Sequence, residues 1–564
     1  MNARTVKRHI NARVIATSVA VLLIVPSVAA FDIRTHTAMT AAAIAQSKIT
    51  NTPNTSLVFK KLGLFDSEAV FGSTYVDLGS GTTRRSTEFE GKVFVQVGRT
   101  GTTGLTLPHS LSIPGWIVRG AVREDDNTSE TPEGSPAGDE PGGVFQRVFG
   151  HFYDPYNDRP LTVGFALGPR SPDWATVKGV GIGLVGTGRQ NYYNLPSARE
   201  AMWRALTLKA WDNGTLTDAP TPSDWPNSTK EQLRKAYWAT TFRALGDMVH
   251  LVQDAAQPQH TRNDAHSGFA CVAYTGACVF GHASFVENYL AARTIQASQF
   301  TLPEGLWAVE RAEVVRTTAP QLTYGGYPAP TFALARDYFS TATGAANATG
   351  KGLANYSNRG FFSFGTNLGA TGTSSYPSPS AAGLVDSALT GAAVVNMTGQ
   401  PIGAGSEIRF KEGLVYDPVI AESNMAKLTT NGVWDQFLLQ KNLAPRYSLN
   451  HYNYDDQARL LIPRAVGYSA GLIDYFFRGE LKIDLPDEGI YSILDHADPL
   501  SNCKNACGFT KIKLKLTNTT PDIVVSGGGP TVVNIPAPPK SQNTPPVLAF
   551  AEVVHKTVGG ETRC

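Results

Sequence analysis

Residues 228–260 read STKEQLRKAYWATTFRALGDMVHLVQDAAQPQH, and this stretch decides the fold. Ser228, three residues before Glu231, supplies a capping box for a helix start. Leu233, Tyr237, Leu245, Val249 and Val252 recur at helical spacing, which predicts a helix over about 229–256. Pro258 sets its far limit, because the residue before a proline avoids the α region. His250 and Asp254 lie one turn apart on one face, so they can bind one metal ion together. His260 follows Pro258-Gln259, where the chain can turn it back to the same place.

Outward from this helix the chain reads as mainly α. Further helices are expected over residues 32–48, 196–211, 283–297 and 455–478, the last carrying Leu460, Leu461, Ala465, Tyr468, Leu472, Tyr475 and Phe476. Residues 72–115 alternate small polar and apolar residues and read as loops with a hairpin around Val93–Val97. Residues 124–143, acidic and rich in Gly and Pro, read as a surface loop, and residues 340–400, rich in Gly, Ala, Ser and Thr, as a long insertion. From Lys511 the period changes to two (Ile512, Leu514, Leu516), followed by Val524-Val525 and Val532-Val533 between turn residues. The expected organisation is a leader over 1–30, a multi-helix domain over 31–485, and a small β-rich segment over 486–564.

The chain has 564 residues, 42% of them hydrophobic, enough for a large core. Residues 1–30 carry Arg4, Lys7, Arg8 and Arg13, then an apolar run from Val14 to Val25, a break at Pro26 and small residues up to Ala30. That is the pattern of a secretory signal, and the run is shorter than the roughly 20 residues a membrane span requires. Export is expected, with Phe31 as the mature N-terminus. Of 49 basic and 47 acidic residues, removing these four basic ones leaves 45 against 47. So balanced a chain lacks the charge footprint of a duplex nucleic-acid binder. Cys271–Cys278 and Cys503–Cys507 are each spaced to close a short disulfide loop in an oxidising compartment, with Cys564 left over.

The remaining chemistry-bearing residues are His36, the run Glu124-Asp125-Asp126, His151 in Gly150-His-Phe-Tyr-Asp-Pro155, His282 and Glu287. Taken singly, each has a plain structural reading: a helix cap, a buried hydrogen-bonded pair, a residue beside an aromatic cluster. Taken together, imidazoles and carboxylates in this order suit zinc, and the lack of cysteine among them argues against a closed structural site.

The run His250-Leu-Val-Gln-Asp254-Ala-Ala-Gln-Pro-Gln-His260 resembles the central signature of zinc-dependent phospholipases C and single-strand-specific nucleases. Gly150–Pro155 resembles the phospholipase branch in particular. Phe31-x4-His36 followed by Thr37-Ala38-Met39 resembles that superfamily's mature N-terminus, although tryptophan is usual at the first position. The resemblance covers about residues 31–300 and extends to the 455–478 helix. It implies three zinc ions: one held by Asp125, His151, His250 and Asp254; a second by His260, His282 and Glu287; a third by the Phe31 amine and carbonyl, His36 and Asp254. Asp125 would double as general base, with Glu124 and Asp126 as alternatives. The superfamily's last pair is a histidine, three residues and a glutamate. Glu287 is one residue further from His282, an offset of about 100° on a helix. Either His282 precedes the helix, or a bulge corrects the phase, or His266 takes its place. The implied activity is cleavage of phosphodiesters by metal-activated water, phospholipase C-like, with Phe152 or Tyr153 either lining a cationic head-group pocket or packing in the core. A single-strand nuclease with the same metals and a non-catalytic exported zinc protein are the alternatives. Expected partners are phospholipid or another phosphodiester, or single-stranded nucleic acid, with peripheral membrane contact; no protein partner is evident.

Overall fold

The computed structural model describes residues 33–51, 111–124, 147–182, 189–212, 227–266, 322–368 and 399–478 almost without a break, with shorter pieces between and beyond them. The expected leader, Phe31, Asp125, Asp126 and all five cysteines lie outside the described residues. The chain divides into two compact units: residues 1–210 with 218–475, and residues 211–217 with 476–564.

The first unit is built around helices α1 (Ile33–Gln46), α2 (Ile113–Arg123), α3 (Leu195–Thr207), α4 (Lys230–Asp254), α5 (Phe285–Ala291), α6 (Leu353–Gly360) and α7 (His451–Phe476). α4 is the axis. Its capping box is shifted one residue from the expected one. The Thr229 hydroxyl accepts from Gln232 N at 3.2 Å, and Gln232 Oε1 accepts from Thr229 N at 2.8 Å. Ser228-Thr229 and Glu231-Gln232 offer two overlapping matches to one motif, and the helix uses the second.

Every residue of α4 from Ala236 to Asp254 is buried, so it is enclosed on all sides rather than amphipathic. Its polar residues therefore need partners. The Thr240 and Thr241 hydroxyls bond back to Ala236 O and Tyr237 O. The Arg243 guanidinium lies 3.8 Å over the Tyr193 ring. α4 ends at Asp254, and Pro258, instead of merely stopping it, opens a further helical turn over Pro258–Thr261.

Helix α2 is unforeseen in the sequence, because Ile113-Pro-Gly reads as loop. Pro114 in fact sits in the first turn, where its missing N–H costs nothing. α2 crosses α4 at two glycines. A Cβ on Gly120 would fall 2.0 Å from Arg243 O, and one on Gly246 would fall 2.0 Å from Ile117 O. Only glycine on both sides permits this approach, and it brings the end of α2 against the His250 turn.

Helix α3 starts one residue before its expected limit, under an Asn194 cap that accepts from Ser197 N. It stops at Leu208 in the left-handed conformation, short of residue 211. α5 is described over Phe285–Ala291, inside its expected span. α7 runs four residues earlier than expected, with Pro463 inside it.

The described part of the 340–400 stretch carries regular structure that its composition does not suggest. It holds α6 and strand β1 (Val385–Thr390). β1 pairs antiparallel with β2 (Glu407–Asp417), which pairs with β3 (Glu422–Asn431), a sheet with no counterpart in the sequence reading. α6 braces the end of α4: Ser357 Oγ donates to Ala255 O at 2.6 Å, and Asn358 Nδ2 to Thr261 O at 2.5 Å.

The second unit is β-rich among its described residues. Leu481–Asp484 pairs with Lys515–Asn518, Ser492–Ile493 with Lys511–Ile512, Ile523–Val524 with Val532–Val533, and Lys556–Val558 with Glu561–Arg563, all antiparallel. No described helix is long and apolar enough to cross a membrane.

Candidate metal centre

Asp254 closes α4 with both carboxylate oxygens buried. Histidines from four segments surround it. His36 Nε2, from α1, lies 3.3 Å from Oδ1. His151 Nδ1 lies 3.0 Å, His250 Nε2 3.3 Å and His260 Nδ1 3.9 Å from Oδ2. The His36 and His250 rings stack at 3.7 Å. All four rings are 2% exposed or less, so no water shell compensates their polarity. His151 Nδ1, His250 Nε2, His260 Nε2 and Asp254 Oδ2 find no hydrogen-bonding geometry. Convergent, buried donor atoms of this kind are the chemistry of a cation site.

Among the described residues, two donor groups can hold a metal ion: His36, His250 and Asp254; and His260, His266 and Glu287. His260 links them, with Nδ1 toward Asp254 and Nε2 3.9 Å from Glu287 Oε1. His266 Nε2 is 2.9 Å from Glu287 Oε1.

His282 does not join the second group as the resemblance implied. It precedes α5 and lies 3.2 Å from Asp264 Oδ2. An antiparallel bridge joins His266 to Gly281, whose φ of +86° lets the chain close on the Ala265 carbonyl. This sets the two rings side by side, 6.0 Å apart, with His266 the one toward Glu287.

Glu124, not Asp125, is the described carboxylate of its run at the centre; Asp125 lies outside the described residues, so its expected roles as ligand and base are not placed. Glu124 Oε1 is 3.4 Å from His151 Nε2 and accepts from Trp174 Nε1 at 2.8 Å, and Arg147 pairs with its other oxygen. Arg147 also reaches Asp247 Oδ2 at 3.5 Å. Burial pushes Glu124 up, but the Arg147 guanidinium, with His151, brings it down to about 2. Burial likewise opposes charge on His151, yet Asp254 and Glu124 on its two sides raise it to about 10. His151 thus lies between two carboxylates and belongs to neither donor group.

His250 behaves differently. Burial and the neighbouring His36 depress it to about 3, against the pull of Asp254, so its Nε2 keeps a lone pair. Burial also depresses His260. Burial would raise Asp254, and the histidines around it hold it well below the usual carboxylate range. Burial would raise Glu287 too, but His266 and His260 lower it.

Phe152 and Tyr153 are core residues, 1% and 3% exposed; Phe152 stacks on the His260 ring at 4.3 Å. The exposed aromatics near the centre are Phe285 and Phe364, 5.2 Å apart, on a cavity that also includes Gln259, His282 and Tyr454. Sequence reasoning missed them, and no spacing marked them out. A scan against protein-family models, a search among curated proteins and a search among solved structures each return no match.

Proposed function

We propose that the chain is an exported, zinc-dependent phosphodiester hydrolase, phospholipase C-like in its chemistry. The observation that carries the reading is the meeting of His36, His151, His250 and His260 on Asp254, beside a second group of His260, His266 and Glu287. These residues come from separate segments across some 250 positions, and the sequence reading named the same ones, with His266 as the alternative to His282.

Histidine and carboxylate donors without thiolate fit zinc. One ion would be held by His36, His250 and Asp254, and another by His260, His266 and Glu287; Phe31 and Asp125 belong to the expected set of three. Zinc bound there would supply Lewis acidity and lower the pKa of water to about 7.

The chain's own residues do the rest. Asp254 holds four imidazoles in register. Arg147 and Trp174 fix Glu124, and Glu124 and Asp254 flank His151 on its two sides. The burial of the donor atoms excludes bulk water from the centre.

The test is the metal content of the mature protein measured together with hydrolysis of phosphatidylcholine and of bis(p-nitrophenyl) phosphate, for wild type and for Asp254→Ala. Zinc-dependent cleavage abolished by the substitution supports the reading. Full activity in a zinc-free protein overturns it.

A single-strand nuclease is the second reading, favoured by the exposed Phe285–Phe364 pair, which offers faces for base stacking. Single-stranded DNA in the same assay separates the two.

A further inference from the structure

A neutral histidine offers a metal one lone pair, and the partner of its other nitrogen decides which. Three ligand rings here are set by backbone carbonyls. His250 Nδ1 lies 2.7 Å from Ala121 O, His266 Nδ1 2.7 Å from Asp264 O, and His260 Nδ1 3.3 Å from His151 O. A carbonyl only accepts, so each Nδ1 carries the hydrogen and each Nε2 the lone pair.

His36 breaks the pattern. Its Nδ1 lies 2.7 Å from Gln253 Oε1, a side-chain amide with an accepting and a donating end. Gln253 is fully buried on α4 between His250 and Asp254. Its Nε2 donates to Thr40 Oγ1 at 3.0 Å, one turn along the helix that carries His36. The amide is therefore gripped at both ends by α1, with its oxygen toward the imidazole. Turned over, it would donate to Nδ1, drive the hydrogen to Nε2, and leave His36 donating to Asp254 Oδ1 instead of offering a lone pair.

We propose that Gln253 is a positioning residue that fixes the tautomer of His36, with Thr40 holding the far end of the amide. The proposal deepens the function put forward above and rests on it for the identity of the ion, but not for the tautomer itself.

The experiment has two readouts on the full mature chain. The first is the tautomer of His36, from the ¹⁵N shifts of its ring nitrogens in protein stripped of metal. The second is zinc affinity at each donor group, by competition with a chelator. Wild type is expected to show hydrogen at Nδ1 of His36.

Gln253→Glu, which can only accept, retains that state. Gln253→Leu and Thr40→Val lose the preference, and Gln253→Leu weakens one zinc by about 10–100-fold while leaving the His260–His266–Glu287 ion unchanged. A Gln253→Leu protein that keeps the wild-type tautomer overturns the proposal. So does equal loss in Gln253→Glu and Gln253→Leu, which would mark a packing role. If Gln253→Leu does not fold, Thr40→Val and Gln253→Glu decide by the same tautomer readout. A wild type with the expected tautomer and no zinc at Asp254 refutes the function and leaves the positioning role standing.

Discussion

Substituting Gly246 by alanine tests how the fold positions the centre. The added Cβ would lie 2.0 Å from Ile117 O and 2.9 Å from Gly120 Cα, where ordinary contact begins at 3.4 Å. Both obstacles are backbone, so no side-chain rotation relieves them, and α2 and α4 must part by about 1.4 Å, the difference between 3.4 and 2.0 Å. Alanine gains about 1 kcal/mol in helix propensity over glycine. Overpacking costs about 1–3 kcal/mol, at the upper end when backbone is struck, so a net loss of about 1–2 kcal/mol follows. The functional effect is larger than the stability effect. His250 sits one turn beyond Gly246, and its 2.7 Å contact to Ala121 O would stretch past about 3.6 Å, beyond hydrogen bonding. The assay is urea unfolding with zinc content on the same sample, with Gly405→Ala, at a position open on all sides, as control. A Gly246→Ala protein with wild-type midpoint and full zinc content would refute the argument that the glycine crossing sets the ligand geometry.

Three further outcomes follow from the described contacts. His266→Ala should lose the ion of the second donor group while His282→Ala keeps it, read by zinc stoichiometry; the reverse result would restore the ligand set implied by the resemblance. Arg147→Met leaves Glu124 and Asp247 without the cation between them and should destabilise by about 3–5 kcal/mol; an unchanged unfolding midpoint would contradict this. Asp474 is raised by burial to about 6 although it accepts from Lys48 N, so the folded state favours its protonated form, and stability is lost as pH rises from about 4 through about 6. Asp474→Asn keeps the acceptor and should be about 1–2 kcal/mol more stable at pH 7, with the gain vanishing below pH 4; a gain independent of pH would show that the carboxylate's charge is not its source.

The centre of α4 was legible because helical period and metal spacing coincide there. His250, Asp254 and His260 follow from one contiguous run, and α7 from a long apolar repeat. Elements whose register depends on distant partners were not legible. α2 hides behind Pro114-Gly115, whose role as a helix start shows only once Gly120 meets Gly246. The β1–β3 sheet and α6 lie in or beside a stretch whose Gly and Ser content suggested loop. The choice between His266 and His282 turns on the bridge at Gly281. The two residues are chemically alike, and only tertiary placement separates them.

The most direct test of the account is X-ray diffraction from the mature protein recorded on both sides of the zinc absorption edge. Anomalous peaks within about 2.0–2.2 Å of His36 Nε2, His250 Nε2 and Asp254, and of His260, His266 and Glu287, are the expected result. A well-ordered centre with these side chains in place and no anomalous density, after growth in zinc, would contradict it.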